Sequence, residues 1–356
     1  MRILLGDQTG RVQAEVDKGS ISNVVWRLNQ SGTATLRVKR DSSAFRRDLL
    51  EPGARIYVEH ENGLPAWGGV LDLPRGWMPG YLETRAYTIE RLLKFRITAK
   101  TRSFYGDVVG SIWTQILREA EQRAALGLRI GQIWLGGAAH YPRYHLRDAA
   151  WVTDQSVRKM ETCDYRIVPY LANNQILFRC ELHEQLGDDR RDQVALIEGA
   201  NVSEAKLTEQ GDIVNRVAVV GSGATWGERP VVWGIEEFSR RRYGLREAAL
   251  TPQDVSQTAT LNRYADNEIR ERAYPHKIAT LQVADRNPSY FRDYDVGDTV
   301  QVILPSFDFD GYDAPMRITA RGYDPVSGVC ELVCDERFEY DPVFLGEDDT
   351  QPGGDD

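Results

Sequence analysis

Few residues of this 356-residue chain are of a type and spacing that could do chemistry. His140 and His145 stand five apart in a Tyr/Arg-rich segment, but a metal site needs further Cys, Asp or Glu ligands at recognisable spacing, and none accompanies them. Asp308-Phe309-Asp310-Gly311-Tyr312-Asp313 has the acids of a calcium loop without its alternating oxygens or its terminal bidentate glutamate, and reads as a solvated hairpin tip. The Gly-rich run Gly221-Ser222-Gly223-Ala224-Thr225-Trp226-Gly227 follows a strand. Glu228-Arg229-Pro230 and another β-like run come next, so no helix N-terminus is available to hold a phosphate. Cys330 and Cys334, an even step apart, would share one side of a strand and pack there. There is no G-x-S-x-G elbow and no H-E-x-x-H, and carboxylates without a pocket cannot be given acid and base roles. No catalytic, cofactor-binding or metal-binding residue is therefore nominated, and the chain is read as a non-enzyme. What remains suits contact with other molecules. Arg240-Arg241-Arg242 and Tyr243 could touch phosphate or, better for a chain of net charge −9, an acidic neighbour such as another copy. Trp77, Trp226 and Trp233 would offer stacking faces for a glycan if exposed, or fill cores if buried.

The elements that must position these residues are mostly short strands. Thr35–Lys39 and Arg55–Glu59 alternate apolar and polar residues as half-buried antiparallel strands do, and Trp67–Leu73 and Glu83–Ile89 continue the series between turn signals. From Asp107 to Gly127 the apolar residues fall at helical spacing, with Asp107 as the expected N-cap and Gly127 as the stop. A second helix is expected over Thr153–Glu161, then a hairpin whose strands, Tyr165–Tyr170 and Gln175–Cys180, flank Ala172-Asn173-Asn174. Strands resume at Val214–Val220, a helix is expected from about Pro252 to Ala273 with Thr251 as cap and Asp254 in its first turn, and four more strands close the chain. The expected organisation is α+β and β-rich. A first β-barrel-like module (1–102) and a second with an inserted helix (206–340) bracket a small α+β insert (103–205), and an acidic flexible tail (341–356) follows.

Charge placement sharpens this division. Between Asp335 and Asp356 nine acids face a single base, Arg337, so nearly the whole net charge of −9 sits at one end and the body is close to neutral. Of 44 basic residues 37 are arginine, which favours planar multidentate contacts with another surface and equally fits a GC-rich coding sequence. Four cysteines make no disulfide framework, and no apolar run is long enough to cross a membrane. Met1-Arg2-Ile3-Leu4-Leu5-Gly6-Asp7 has three apolar residues before a turn and does not read as a signal peptide.

Two stretches share a grammar. Glu51-Pro52-Gly53-Ala54-Arg55-Ile56-Tyr57-Val58 matches Asp295-Val296-Gly297-Asp298-Thr299-Val300-Gln301-Val302, and each precedes a polar loop, a strand, a turn and a closing strand. One such pair is what any turn and strand would give. Four elements in the same order favour two related β modules.

These residues resemble the tail-hub proteins of tailed bacteriophages and related injection machines. The resemblance is carried by Gly32-Thr33-Ala34-Thr35-Leu36, Phe45, Leu49-Leu50-Glu51-Pro52-Gly53 and Trp67-Gly68-Gly69-Val70 in the opening module. Asp164–Pro169 carries it in the middle, and Asn215–Val219, Arg242-Tyr243-Gly244-Leu245-Arg246-Glu247 and Val296–Val300 in the closing module. The resemblance implies a structural virion protein at the tail tip, a homotrimeric ring that adapts a hexameric tail tube and leaves an axial passage for DNA. Implied partners are the tail tube or a distal tail protein, other tail-tip proteins and the tape-measure protein. Assembly would take place in the host cytoplasm, without cofactor or membrane insertion. The alternative is a glycan-binding or glycan-cleaving tail-tip module for host attachment; a soluble oligomeric enzyme on a β scaffold is a further reading.

Overall fold

The computed structural model describes residues 1–336 apart from positions 62, 99, 224, 253, 254 and 309. The expected tail and Asp254 therefore lie outside the described residues. The first part of the chain contains β1 (Arg2–Gly6), β2 (Val12–Val16), β3 (Ile21–Arg27), β4 (Thr33–Lys39), the single turn α1 (Arg47–Leu50), β5 (Arg55–Glu59), β6 (Trp67–Met78), β7 (Tyr81–Tyr87) and the turn α2 (Glu90–Leu93). Next come β8 (Arg102–Ser103), α3 (Val109–Arg123), β9 (Leu128–Ile133), β10 (Arg143–Tyr144), α4 (Ala149–Thr153) running into a π-helical turn to Met160, β11 (Asp164–Ala172) and β12 (Gln175–His183). The rest holds β13 (Ala195–Ile197), β14 (Val202–Gln210), β15 (Arg216–Val220), β16 (Val231–Ile235), α5 (Glu237–Tyr243), β17 (Glu247–Leu250), α6 (Thr258–Arg272), β18 (His276–Val283), β19 (Thr299–Leu304), β20 (Tyr312–Asp324) and β21 (Val329–Asp335).

The α+β, β-rich class holds, but the two β units are not separate closed barrels. Thirteen strands form one sheet, in the order β14-β18-β21-β20-β3-β4-β7-β6-β5-β1-β2, with β19 on β20 and β13 parallel to β19. Each half of this sheet wraps its own core. Ile3, Ile21, Leu36, Ile56, Trp67 and Leu82 meet in one; Leu196, Leu281, Val300, Met316, Ile318 and Leu332 meet in the other. The join is β3 on β20, where a strand of the first half pairs antiparallel with a strand of the second.

The halves are copies of one another in hydrogen-bond register. Gly53 N–H donates to Leu71 O and Leu71 N–H to Ala54 O; Gly297 N–H donates to Ile318 O and Ile318 N–H to Asp298 O. Both glycines have positive φ, +91° and +102°, a conformation that costs glycine nothing. Following the ladders outward equates β5, β6, β7 and β4 with β19, β20, β21 and β18. It also brings into coincidence two sequence likenesses outside the turn grammar: Ala34-Thr35-Leu36-Arg37-Val38 with Ala279-Thr280-Leu281-Gln282-Val283, four of five identical, and Arg75-Gly76-Trp77 with Arg321-Gly322-Tyr323, two of three. One contact repeats as well, half-buried in the first half and buried in the second. Arg75 donates to the carbonyl of Leu50 and Arg321 to that of Tyr294, the equivalent position.

Several elements depart from expectation. β4 buries Ala34, Leu36 and Val38 and exposes the alternate residues, as its pattern requires, but β5 is buried on both faces. Its Ile56 and Val58 enter the first β core, while Tyr57 joins Leu4, Val70 and the insert's residues in another. α3 is capped at Val108, not Asp107, because the Asp107 main chain is bridged to His140. It ends at Arg123, short of Gly127, whose turn is held instead by the Glu121 carboxylate accepting the N–H groups of Leu126 and Leu128 at 2.7 and 3.2 Å. α6 starts at Thr258, not Pro252, because Val255 is buried beside Gly221 and its carbonyl accepts Ser222 N–H at 2.7 Å, which holds that stretch extended. The Asn173-Asn174 hairpin forms as expected, with both residues at positive φ, as a two-residue type I′ turn needs.

Candidate functional site

The insert sits against both halves of the sheet, and one polar node joins all three. Asp164, at the start of β11, accepts from Asn29 Nδ2 at 2.6 Å, from Leu186 N–H at 2.8 Å and from the Arg317 guanidinium of β20. Arg317 also donates to Gly297 O at 2.9 Å, the carbonyl of the repeated turn. Asn29 takes up the left-handed conformation, φ 56°, and its Oδ1 accepts Tyr165 N–H at 2.8 Å. The node borders a cleft of about 740 Å³ whose charged walls include Arg27, Arg158, Arg270, Glu161, Glu184 and Glu271. The three donors that Asp164 accepts tie the insert to both halves of the sheet, and the cleft beside them carries charges of both signs.

A second junction is Arg55, buried against the insert. Its guanidinium donates to Ile176 O at 2.7 Å and lies 5.7 Å from the Phe178 ring. Gly10 and Gly127, both at positive φ, flank it so closely that a Cβ at either would strike the guanidinium. Burial lowers the Arg55 pKa from its ordinary value, the direction desolvation dictates for a cation.

The residues singled out for chemistry are dispersed. His140 is 0% exposed and its Nε2 lies 2.7 Å from Glu161 Oε1, which also accepts Ala138 N–H at 2.8 Å. Burial opposes ionisation of Glu161, but these hydrogen bonds outweigh it and hold its pKa below the usual carboxylate range. The pair clamps a loop to the end of the π-helical turn. His145 is elsewhere, its Nδ1 2.7 Å from Thr101 Oγ1. Among the described residues no three His, Cys, Asp or Glu side chains gather as metal ligands would. Cys330 and Cys334 are both buried in the second β core, where burial pushes their thiols up. Asp308 lies in the β19–β20 hairpin connection and pairs with Lys277; Phe309 lies outside the described residues. Gly221-Ser222-Gly223 leads from β15 through a 3-10 turn into β16, with no α-helix between the two strands among the described residues. Ala224 and the Trp226 side chain lie outside what the structure describes.

The contact-forming residues are at the surface. Arg240, Arg241 and Arg242 occupy the exposed last turn of α5, which Gly244 ends at φ 76°. The buried side chain of Asn215 fixes that turn, donating to Gly244 O at 2.8 Å and accepting Arg246 N–H at 2.9 Å. This is why two distant phrases of the sequence, around Asn215 and Tyr243–Glu247, act together. Trp233 is 51% exposed, but the Arg216 guanidinium sits 4.3 Å from its ring and takes one stacking face. Trp77 is 63% exposed on β6 with Leu73 and Met78 beside it. Neither tryptophan lines the cleft, so the glycan-binding alternative gains nothing from the geometry.

No family model matches the sequence, and no curated relative does. Solved structures do. The prophage tail protein gp18 from Listeria monocytogenes EGD-e superposes with a TM-score of 0.60 at 12% identity, over 94% of each chain. The fold is that of a phage tail protein. The 43 kDa tail protein of prophage MuSo2 from Shewanella oneidensis (TM-score 0.59, 12% identity, 94% of this chain and 98% of that one) and a tail protein from Neisseria meningitidis MC58 (0.58, 12%, 94% and 97%) share it. This tail-protein fold spans the sheet, the insert and the small α5–α6 region together, since nearly the whole chain is covered.

Proposed function

We propose that this chain is a structural component of a phage tail tip, a hub in which three copies form a ring that adapts a hexameric tail tube and leaves an axial passage for DNA. The observation that carries the reading is the duplicated hydrogen-bond register of the two halves around Gly53 and Gly297. Three chains with two equivalent modules each present six near-equivalent units to a six-fold tube, and closed cyclic symmetry uses strand edges that would otherwise invite aggregation. Within this reading the first module is 1–102 and the second extends to 340, with β13 and β14 belonging to the second because they pair with β19 and β18. The partners are the tail tube or a distal tail protein, other tail-tip proteins and the tape-measure protein; the role is mechanical rather than catalytic, in the virion, after assembly in the host cytoplasm. The near-neutral body supports DNA passage without adhesion, since phosphate binding needs clustered basic contacts.

Native mass spectrometry of the purified chain tests this reading. A species of three times the chain mass, with six-lobed rings in projection images, is expected. A chain that stays monomeric across its soluble concentration range overturns it.

A further inference from the structure

The repeat leaves one position filled in one half and empty in the other. In the second half, the far part of β20 pairs with β21 on one side and with β3 on the other, Arg321 opposite Trp26, Gly322 opposite Val25 and Tyr323 opposite Val24. In the first half the equivalent residues Arg75, Gly76 and Trp77 of β6 pair, among the described residues, with β7 alone; β5 covers β6 no further than Val70. The strand equivalent to β3 is β14, since β3 lies on β4 as β14 lies on β18. β14 ends the sheet order; beyond the bridge of Val202 to Glu198, its outer edge at Leu207–Glu209 pairs with no strand among the described residues. Each chain thus carries both halves of a strand contact that it makes once internally and leaves open once.

We infer that the Arg75–Trp77 segment of β6 adds antiparallel to the β14 edge of the next copy, repeating between chains the β20–β3 contact made within one. This rests on the ring reading above. The ladders fix the register: Ile278 and Ala279 of β18 correspond to Thr33 and Ala34 of β4, which sets Thr208 where Val25 stands. Gly76 then lies opposite Thr208, Arg75 opposite Glu209 and Trp77 opposite Leu207. The side chains agree with this pairing. Arg75 and Glu209 are opposite charges on one face of the new pair, and Trp77 with Leu207 is an apolar pair on that same face. Trp77, 63% exposed here, is the counterpart of Tyr323, which is half-buried among Phe291 and His60 with its ring centroid 5.9 and 5.6 Å from theirs. The contact joins two different surfaces, so it is head-to-tail and propagates into rings rather than two-fold dimers.

Cysteine cross-linking tests the register in the full chain. Gly76→Cys is tolerable, since its backbone is not in the left-handed region and the nearest atom to a Cβ there, Met78 Cε, is 3.7 Å away. At the in-chain counterpart, a Cβ on Gly322 would touch Val25 Cγ2 at 3.7 Å across the strand pair; directly opposite residues stand with their Cβ atoms about 4.5–5.5 Å apart, which a small shift brings within disulfide reach. The native cysteines are all buried and stay out of the reaction. The double variant Gly76→Cys/Thr208→Cys, treated with a mild oxidant, is expected to give chain-to-chain disulfides in most of the protein, ending at the ring size on a denaturing gel. Gly76→Cys/Glu204→Cys, four residues out of register, should give under a tenth as much. Rings by native mass without cross-links in the first variant overturn the strand contact and leave the ring standing. Cross-links only in the second overturn the register. A monomer without cross-links overturns both.

Discussion

Truncating the two equivalent arginines should have very unequal effects on the isolated chain. Arg321 is 0% exposed; Nη1 donates to Tyr294 O at 2.8 Å and Nη2 to Phe291 O at 2.7 Å, with the Tyr294 ring centroid 4.9 Å from its guanidinium carbon. A hydrogen bond from a charged donor contributes about 1.5–3 kcal/mol, so Arg321→Ala forfeits roughly 3–6 kcal/mol and leaves two carbonyls facing a cavity. Relief of the guanidinium's desolvation offsets part of this, for a net loss of about 3–4 kcal/mol. Arg75 makes one such bond, 3.2 Å to Leu50 O, and is half-buried, so water replaces it and Arg75→Ala costs about 1 kcal/mol or less. Urea unfolding followed by tryptophan fluorescence reads the difference: with an m-value of about 3 kcal/mol per molar, Arg321→Ala moves the midpoint down by about 1 M and Arg75→Ala by a third of that or less. Equal shifts would refute the equivalence of these sites with unequal burial, and so the account of why one half of the repeat is closed and the other open.

Three further outcomes follow from buried groups. His60 is held down to about 4 by burial first, then by Arg321 and the N-terminus. A base with a depressed folded pKa is stabilising in its neutral form, so stability is lost as pH falls from 6.5 through 4, by up to about 3 kcal/mol, and His60→Gln should flatten this acid limb in thermal melts. If His60→Gln melts retain the full acid slope, the burial argument fails. Glu90 is pushed up to about 7 by burial, against a hydrogen bond from Thr88. Here the sign is opposite: the cost of charging it accrues as pH rises from 4.5 through 7, so Glu90→Gln should gain stability at pH 8 and little at pH 4.5, and a uniform gain would contradict this. Asp164→Ala takes the carboxylate from a half-buried Arg317, which keeps its bond to Gly297 O, and should cost about 2–3 kcal/mol while loosening the insert, read as faster amide exchange in β11; unchanged exchange there would mean that the node does not hold the insert.

What the sequence could disclose was decided by distance along the chain. The Asn173-Asn174 hairpin is legible because turn type and strand pairing involve neighbours, and both residues reach positive φ as their chemistry allows. The His140–Glu161 pair and the Asn29–Asp164–Arg317 node are not, because their members meet only through the packing of the insert. Helix starts failed for the same reason: Asp107 and Thr251 have capping chemistry, but tertiary contacts of Asp107 with His140 and of Val255 with Ser222 claim those backbones first. β14 went unread because Ser203-Glu204-Ala205-Lys206 is polar, as exposed edges tend to be, which hides a strand from any hydrophobic pattern. The turn repeat at Gly53 and Gly297 was legible, yet its value lay in what it allowed next. Once two halves of one chain are set in register, a residue half-buried in one and bare in the other is what the proposed strand contact rests on, and Tyr323 against Trp77 is that difference. Composition alone sees an exposed tryptophan; the repeat says which strand should cover it.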